Sequence, residues 1–180
     1  MSRRRPLFLI GFMASGKTTL GRALAERLPG SRFIDLDEAI EKREGASVAE
    51  IFRRHGEAYF RACEAEVLRE AAQEGAIVAC GGGTPCQSAN MDFMLAQGTV
   101  VWLVADDDVT ERRLRLARGQ RPLVDALLDD PDALRRHIAD LTSRRRPAYS
   151  RAHFTFDSNE LEDEAQIEAS CRRFLISVKF

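Results

Sequence analysis

A chain of 180 residues, 44% hydrophobic and 31% charged, is long enough to bury one sizeable core, so a single domain over 1–180 is expected. Its 27 Lys and Arg against 28 Asp and Glu exclude attraction to a polyanion by bulk charge; no nucleic-acid partner is expected, and Arg3-Arg4-Arg5 reads as a solvated terminus. Four cysteines without paired spacing read as reduced thiols, and no apolar run approaches signal-peptide or transmembrane length, so a cytoplasmic protein without a membrane partner is expected.

Leu7–Ile10 predicts a first strand that passes directly into Gly11-Phe12-Met13-Ala14-Ser15-Gly16-Lys17-Thr18, a Walker A loop opening a helix over 17–28. Gly11 and Gly16 let the loop fold back so that its N–H groups converge on nucleotide phosphates. Lys17 reaches the β- and γ-phosphates, and the Thr18 hydroxyl suits Mg²⁺. The helix adds its positive N-terminal end. Ala14, Ser15, Gly16, Lys17, Thr18 and Thr19 are therefore the expected ATP-phosphate residues. A plain strand–turn–helix is the bland alternative.

Further strands are predicted at Arg32–Asp35, Ala76–Cys80, Thr99–Val104 and His153–Phe156. Helices are predicted at 36–43, 47–55 (with the capping box Ser47-Val48-Ala49-Glu50), 57–74, 88–96, 108–117, 131–150 and 163–177. Strands separated by helices imply a parallel sheet covered on both faces. Residues 118–130, with Gly119 and Pro122, read as an irregular mobile lid.

Chemistry-bearing residues cluster at predicted strand ends, where ligands of open α/β sheets bind. Asp35 suits the Mg²⁺ shell through water. Asp37 suits a substrate hydroxyl, as proton acceptor or orienting group; the alternative is that it caps the next helix. Gly81-Gly82-Gly83 marks a backbone that something approaches closely. Arg61 is a carboxylate clamp with Glu64 one turn on to orient it, or else an ordinary surface pair. Arg121, inside the lid, can offset charge on a transferring phosphoryl group. Asp106 is an N-cap rather than a metal-binding acid. His55, His137 and His153 carry no assigned role, and Trp102 is a core residue.

Taken in order, the Walker A loop, Asp35-x-Asp37, Gly56-Glu57-x-x-Phe60-Arg61-x-x-Glu64, Gly81–Gly83, Arg121-Pro122-Leu123 and Arg145-x-Pro147-x-Tyr149 make the chain resemble the shikimate kinases over nearly its whole length. The resemblance implies an α/β P-loop fold of the nucleoside-monophosphate-kinase type. It would have three layers, a five-stranded parallel sheet, a substrate-binding region at about 36–64 and a lid at about 115–130. It implies ATP- and Mg²⁺-dependent phosphorylation of the 3-hydroxyl of shikimate in aromatic amino acid biosynthesis, by a monomer. By matching position it places Asp37 on the shikimate hydroxyls, Arg61 and Arg145 on the carboxylate, and Gly82 and Gly83 on the substrate through backbone. Lys17 and Arg121 fall on phosphate, Arg118 against adenine, and Thr18 and Asp35 on the metal.

Four features depart from the pattern. Ala14 stands where the family has Gly, which is tolerable with a negative φ. Ala79 replaces a hydroxyl residue, the lid is short, and the adenine-contacting stretch near Ser158 to Leu161 aligns poorly. A gluconate kinase on the same fold and a catalytically inactive nucleotide-binding module are the alternative readings.

Overall fold

The computed structural model describes residues 4–118 and 122–178. Its elements are β1 (Leu7–Ile10), α1 (Lys17–Arg27), β2 (Arg32–Asp35), α2 (Leu36–Glu44), α3 (Val48–Ala71), β3 (Ala76–Ala79), a 3-10 turn (Thr84–Cys86), α4 (Ser88–Gln97), β4 (Thr99–Val104), α5 (Asp107–Leu116), α6 (Pro122–Asp125), α7 (Pro131–Tyr149), β5 (Phe154–Asp157) and α8 (Glu164–Val178). The five strands pair in parallel in the order β2-β3-β1-β4-β5. This is the expected three-layer α/β sheet.

Successive strand side chains point to opposite faces, and both faces are covered, so β1 is apolar throughout. Phe8 and Ile10 enter one core with Leu36, Ile51, Val67 and Met94. Leu7 and Leu9 enter the other with Leu20, Leu24 and Phe174. The strand order then builds the site. The Walker A loop leaves β1, the triple glycine leaves neighbouring β3, and Asp35 ends β2 beyond it, so three loops far apart in sequence emerge side by side.

Helix boundaries follow local chemistry. Asp35 caps α2 by accepting from the N–H groups of Asp37 and Glu38. The capping alternative raised for Asp37 therefore belongs to Asp35. Gly45, left-handed at φ 65°, stops α2, and the Ser47–Glu50 capping box starts α3. The two helices expected at 47–55 and 57–74 are both present: they meet end to end at Gly56, whose backbone is not helical, and the second ends at Ala71. One residue in a glycine-only conformation, φ 81° and ψ 175°, redirects the axis without an intervening loop.

Three other expectations change. Asp106 occupies the N-cap position of α5, but its side chain makes no cap bond; it accepts from the Asn159 side chain instead. Within the expected irregular lid, α6 gives a helical turn, and Val124 and Leu128 are buried with Phe12, Leu114, Leu134 and Ile138. Their apolar spacing anchors this part of the segment to the Walker A loop. The small histidine-led shift at the last strand is structural: His153 exchanges bonds with Val100, its N–H donating to the carbonyl and its Nδ1 accepting from the N–H.

The Gly56→Ala variant is expected to lose roughly 1–3 kcal/mol of stability, because alanine cannot adopt that φ/ψ pair without strain. Equilibrium urea unfolding checks this; an unchanged midpoint would mean the kink relaxes freely.

Candidate active site

The three loops line a cleft of about 900 Å³. At one end lie Met13, Ala14, Gly16, Lys17, Thr18 and Thr19; at the other, Asp37, Arg61, Glu64, Gly81–Gly83 and Arg145, with Val48, Phe52 and Phe60 as an apolar wall.

The Walker A end is built as a phosphate cradle. Lys17 Nζ folds onto the loop, donating to the carbonyls of Gly11 at 3.0 Å and Phe12 at 2.7 Å. Phosphate oxygens are stronger partners for an ammonium than these carbonyls. Gly16 is left-handed at φ 87°, and a Cβ there would run into the Leu161 side chain. Ser15 is buried at 2% exposure and does not line the cleft, so its expected contribution reduces to the backbone. Ala14 has φ 59°, not the negative value expected of a tolerated methyl. It is the one non-glycine residue with positive φ among the described residues, and holds a conformation that costs an L-residue about 1–2 kcal/mol. The Thr18 hydroxyl donates to Asp35 Oδ2 at 2.9 Å, which brings two hard oxygen donors together beside the cradle.

The opposite end is organised by close approach to the three glycines. A Cβ on Gly81 would lie 3.0 Å from Asp37 Oδ1, one on Gly82 2.7 Å from Arg145 Nη1, and one on Gly83 2.7 Å from Arg61 Nη2. Each glycine is thus the seat of one charged side chain. Glu64, 1% exposed, accepts from Arg61 Nη1 at 2.9 Å and from the Thr84 hydroxyl at 2.6 Å. The orienting role suggested by sequence spacing is what the geometry gives it. Burial, together with the negative charges of Asp35 and Glu64, pushes the Asp37 carboxyl up to about 6, against the pull of Lys17.

Lys17, Thr18, Asp35, Asp37, Arg61, Gly82, Gly83 and Arg145 are therefore brought together, as are Ala14, Gly16 and Thr19. Arg121 lies outside the described residues. Arg118, expected against adenine, pairs with Asp129 and does not line the cleft. Arg113 lines it instead. Its guanidinium is pinned by Glu162 Oε1 at 2.8 Å and by the carbonyls of Ala14, Ser158 and Asn159. It stands in the arginine-rich stretch Arg112-Arg113-Leu114-Arg115, and nothing in that pattern singles out one guanidinium. Thr84 and Tyr149, whose hydroxyl donates to the Gly82 carbonyl at 2.6 Å, were also not picked out as supporting groups.

The family model of shikimate kinase matches residues 13–175. Shikimate kinase of Bacteroides thetaiotaomicron is 44% identical over 168 residues, covering 93% of this chain and 94% of the relative. A crystal structure of shikimate kinase from that organism superposes with a TM-score of 0.90 at 42% identity, covering 97% of this chain and 98% of that one. Shikimate kinase from Acinetobacter baumannii, solved in complex with shikimate, gives a TM-score of 0.81 at 31% identity over 98% and 94% of the two chains. A gluconokinase from Sinorhizobium meliloti, 18% identical with a TM-score of 0.52 over 99% and 98% of the chains, shares the fold alone.

The raised Asp37 carboxyl has a stability consequence. The fold favours its neutral form, so its contribution is present below the ordinary carboxylate range and lost as pH rises through about 6. Asp37→Asn is expected to be more stable than the parent at pH 7.5 by about 3 kcal/mol, an advantage largely gone by pH 4. Urea melts at both pH values measure it; equal stability at pH 7.5 would show that Asp37 is not held in a charge-disfavouring site.

Proposed function

The chain belongs to the shikimate kinase family, and we propose that it moves the γ-phosphate of ATP to the 3-hydroxyl of shikimate with the residues gathered in this cleft. The observation that carries the residue assignment is the seating of Asp37, Arg145 and Arg61 on three consecutive glycines beside a Walker A loop. Shikimate is a planar carboxylate on a hydroxylated ring. Two guanidinium groups match the carboxylate, a carboxylate matches the hydroxyls, and Val48, Phe52 and Phe60 match the carbocycle.

In the reaction the acceptor oxygen bonds to the γ-phosphorus, the bond to the β-phosphate oxygen breaks, and ADP leaves. Asp37 accepts the hydroxyl's hydrogen bond and takes its proton; a carboxyl near 6 is mostly anionic at pH 7.5 yet basic enough for the task. Lys17 turns from its loop carbonyls to the phosphates. Arg113 and Leu161 border the Walker A end of the cleft, and Arg118 keeps its proposed part at the adenine on the sequence resemblance. Arg121 keeps its proposed part at the transferring phosphoryl group on the sequence resemblance alone. Thr18 and Asp35 fit Mg²⁺, whose bound charge would neutralise the phosphate oxygens. We further read the protein as a single-domain cytoplasmic monomer without nucleic-acid or membrane partners, on composition and family resemblance. No helix among the described residues is long and apolar enough to cross a membrane.

A coupled ADP-release assay tests this. Release is expected with shikimate and not with gluconate. Asp37→Asn is expected to abolish turnover while ATP binding persists, and Arg61→Ala to raise the shikimate KM at least tenfold with the ATP KM unchanged. Normal turnover of the first variant, or an unchanged shikimate KM in the second, removes that residue from its role.

A further inference from the structure

The peptide joining Gly82 to Gly83 carries the seats of both arginines, yet a Gly–Gly peptide is the least constrained in any chain. Nothing intrinsic to those residues selects one orientation of its plane. The selection comes from Tyr149, the last residue of α7, 67 positions away in sequence. Its ring is fully buried, tilted at 45° against Trp102 with the ring centroids 5.7 Å apart, and its hydroxyl donates to the Gly82 carbonyl at 2.6 Å. The same hydroxyl lies 3.7 Å from the point where a Gly82 Cβ would stand, beside Arg145 Nη1 at 2.7 Å. Because a peptide unit is planar, fixing the Gly82 carbonyl also fixes the direction of the Gly83 N–H.

We propose that Tyr149 is a positioning residue for the acceptor: its hydroxyl locks the Gly82–Gly83 peptide and so holds the surface on which Arg145 and Arg61 lie. It touches neither substrate. This rests on the acceptor assignment made above. Burial pushes the phenol up to about 12, so it remains a donor throughout the working pH range. The short spacing Arg145-x-Pro147-x-Tyr149 thereby acquires a physical reason. One helix end delivers both the clamp and the hydroxyl that fixes the clamp's seat.

The test is Tyr149→Phe, alone and combined with Arg145→Ala, assayed at varied shikimate and varied ATP. Loss of one hydrogen bond at the seat is expected to raise the shikimate KM about five- to tenfold, with kcat and the ATP KM within about twofold. The double variant is expected to lose less than the product of the two single losses, because with Arg145 gone the hydroxyl acts only through the seat of Arg61. An unchanged shikimate KM, equal damage to both substrates, or additive losses in the double variant would overturn the proposal. If Arg145→Ala itself leaves the shikimate KM unchanged, the acceptor assignment fails first, which separates the two ideas. A second measurement leaves the hydroxyl in place. The chain has two tyrosines, so 3-fluorotyrosine in a Tyr59→Phe protein labels residue 149 alone. Saturating shikimate is expected to move that ¹⁹F resonance; a resonance that stays put contradicts the proposal.

Discussion

Glu64 is a carboxylate with 1% of its surface exposed, and such a group is stable only if its charge is met and its oxygens are bonded. Arg61 meets the charge from one turn earlier on α3, and Thr84 supplies a hydroxyl from the 3-10 turn after β3. That pairing ties the long helix to the glycine loop and leaves little choice of arrangement between them. It lays the Arg61 guanidinium against Gly83. It also sets a fixed negative charge near Asp37, helping to hold that carboxyl's proton affinity above the ordinary range. Removing one partner of such a buried pair typically costs several kcal/mol, so the arrangement is an all-or-none feature of the acceptor site.

The two ends of the cleft solve different problems. The nucleotide end presents backbone N–H groups and one ammonium, a general anion site that says nothing about the acceptor. The acceptor end is specific because it combines two guanidinium groups, one carboxyl of raised proton affinity and an apolar wall within one small volume. Phosphoryl transfer asks the protein chiefly for alignment and charge neutralisation, and both follow from where the strands β2, β3 and β1 end. Side-by-side strand ends hold Asp35 and the neighbouring Asp37, the glycine seats and the Walker A loop in a single frame.

Much of this was legible in the residues. Apolar runs ending in Gly11, Asp35 and Gly81 announced the strands and their functional ends, since a parallel sheet buried on both faces needs continuous hydrophobicity. The break at Gly56 is legible because a glycine interrupts the helical period there, and its φ/ψ pair is indeed outside the helical region. For Ala14 the outcome turns on a φ that sequence does not print, and the structure gives it the positive value. Among the arginines at 112, 113, 115 and 118 the local pattern singles out none; only the fold shows that Arg113 is the one that reaches back to Ala14 and Ser158. Gly81–Gly83 marks in the sequence a backbone that something approaches closely, and the structure adds that the crowding comes first from the protein's own side chains.

The most direct measurement is the pH dependence of kcat/KM for shikimate in Glu64→Gln beside the parent. The parent's acid limb is expected near pH 6, where Asp37 loses its charge. With the neighbouring negative charge removed, the limb is expected to move to lower pH while the shikimate KM rises, because Arg61 has lost its ionic partner. An acid limb and a KM that both stay where they were would show that Glu64 does not organise the acceptor site.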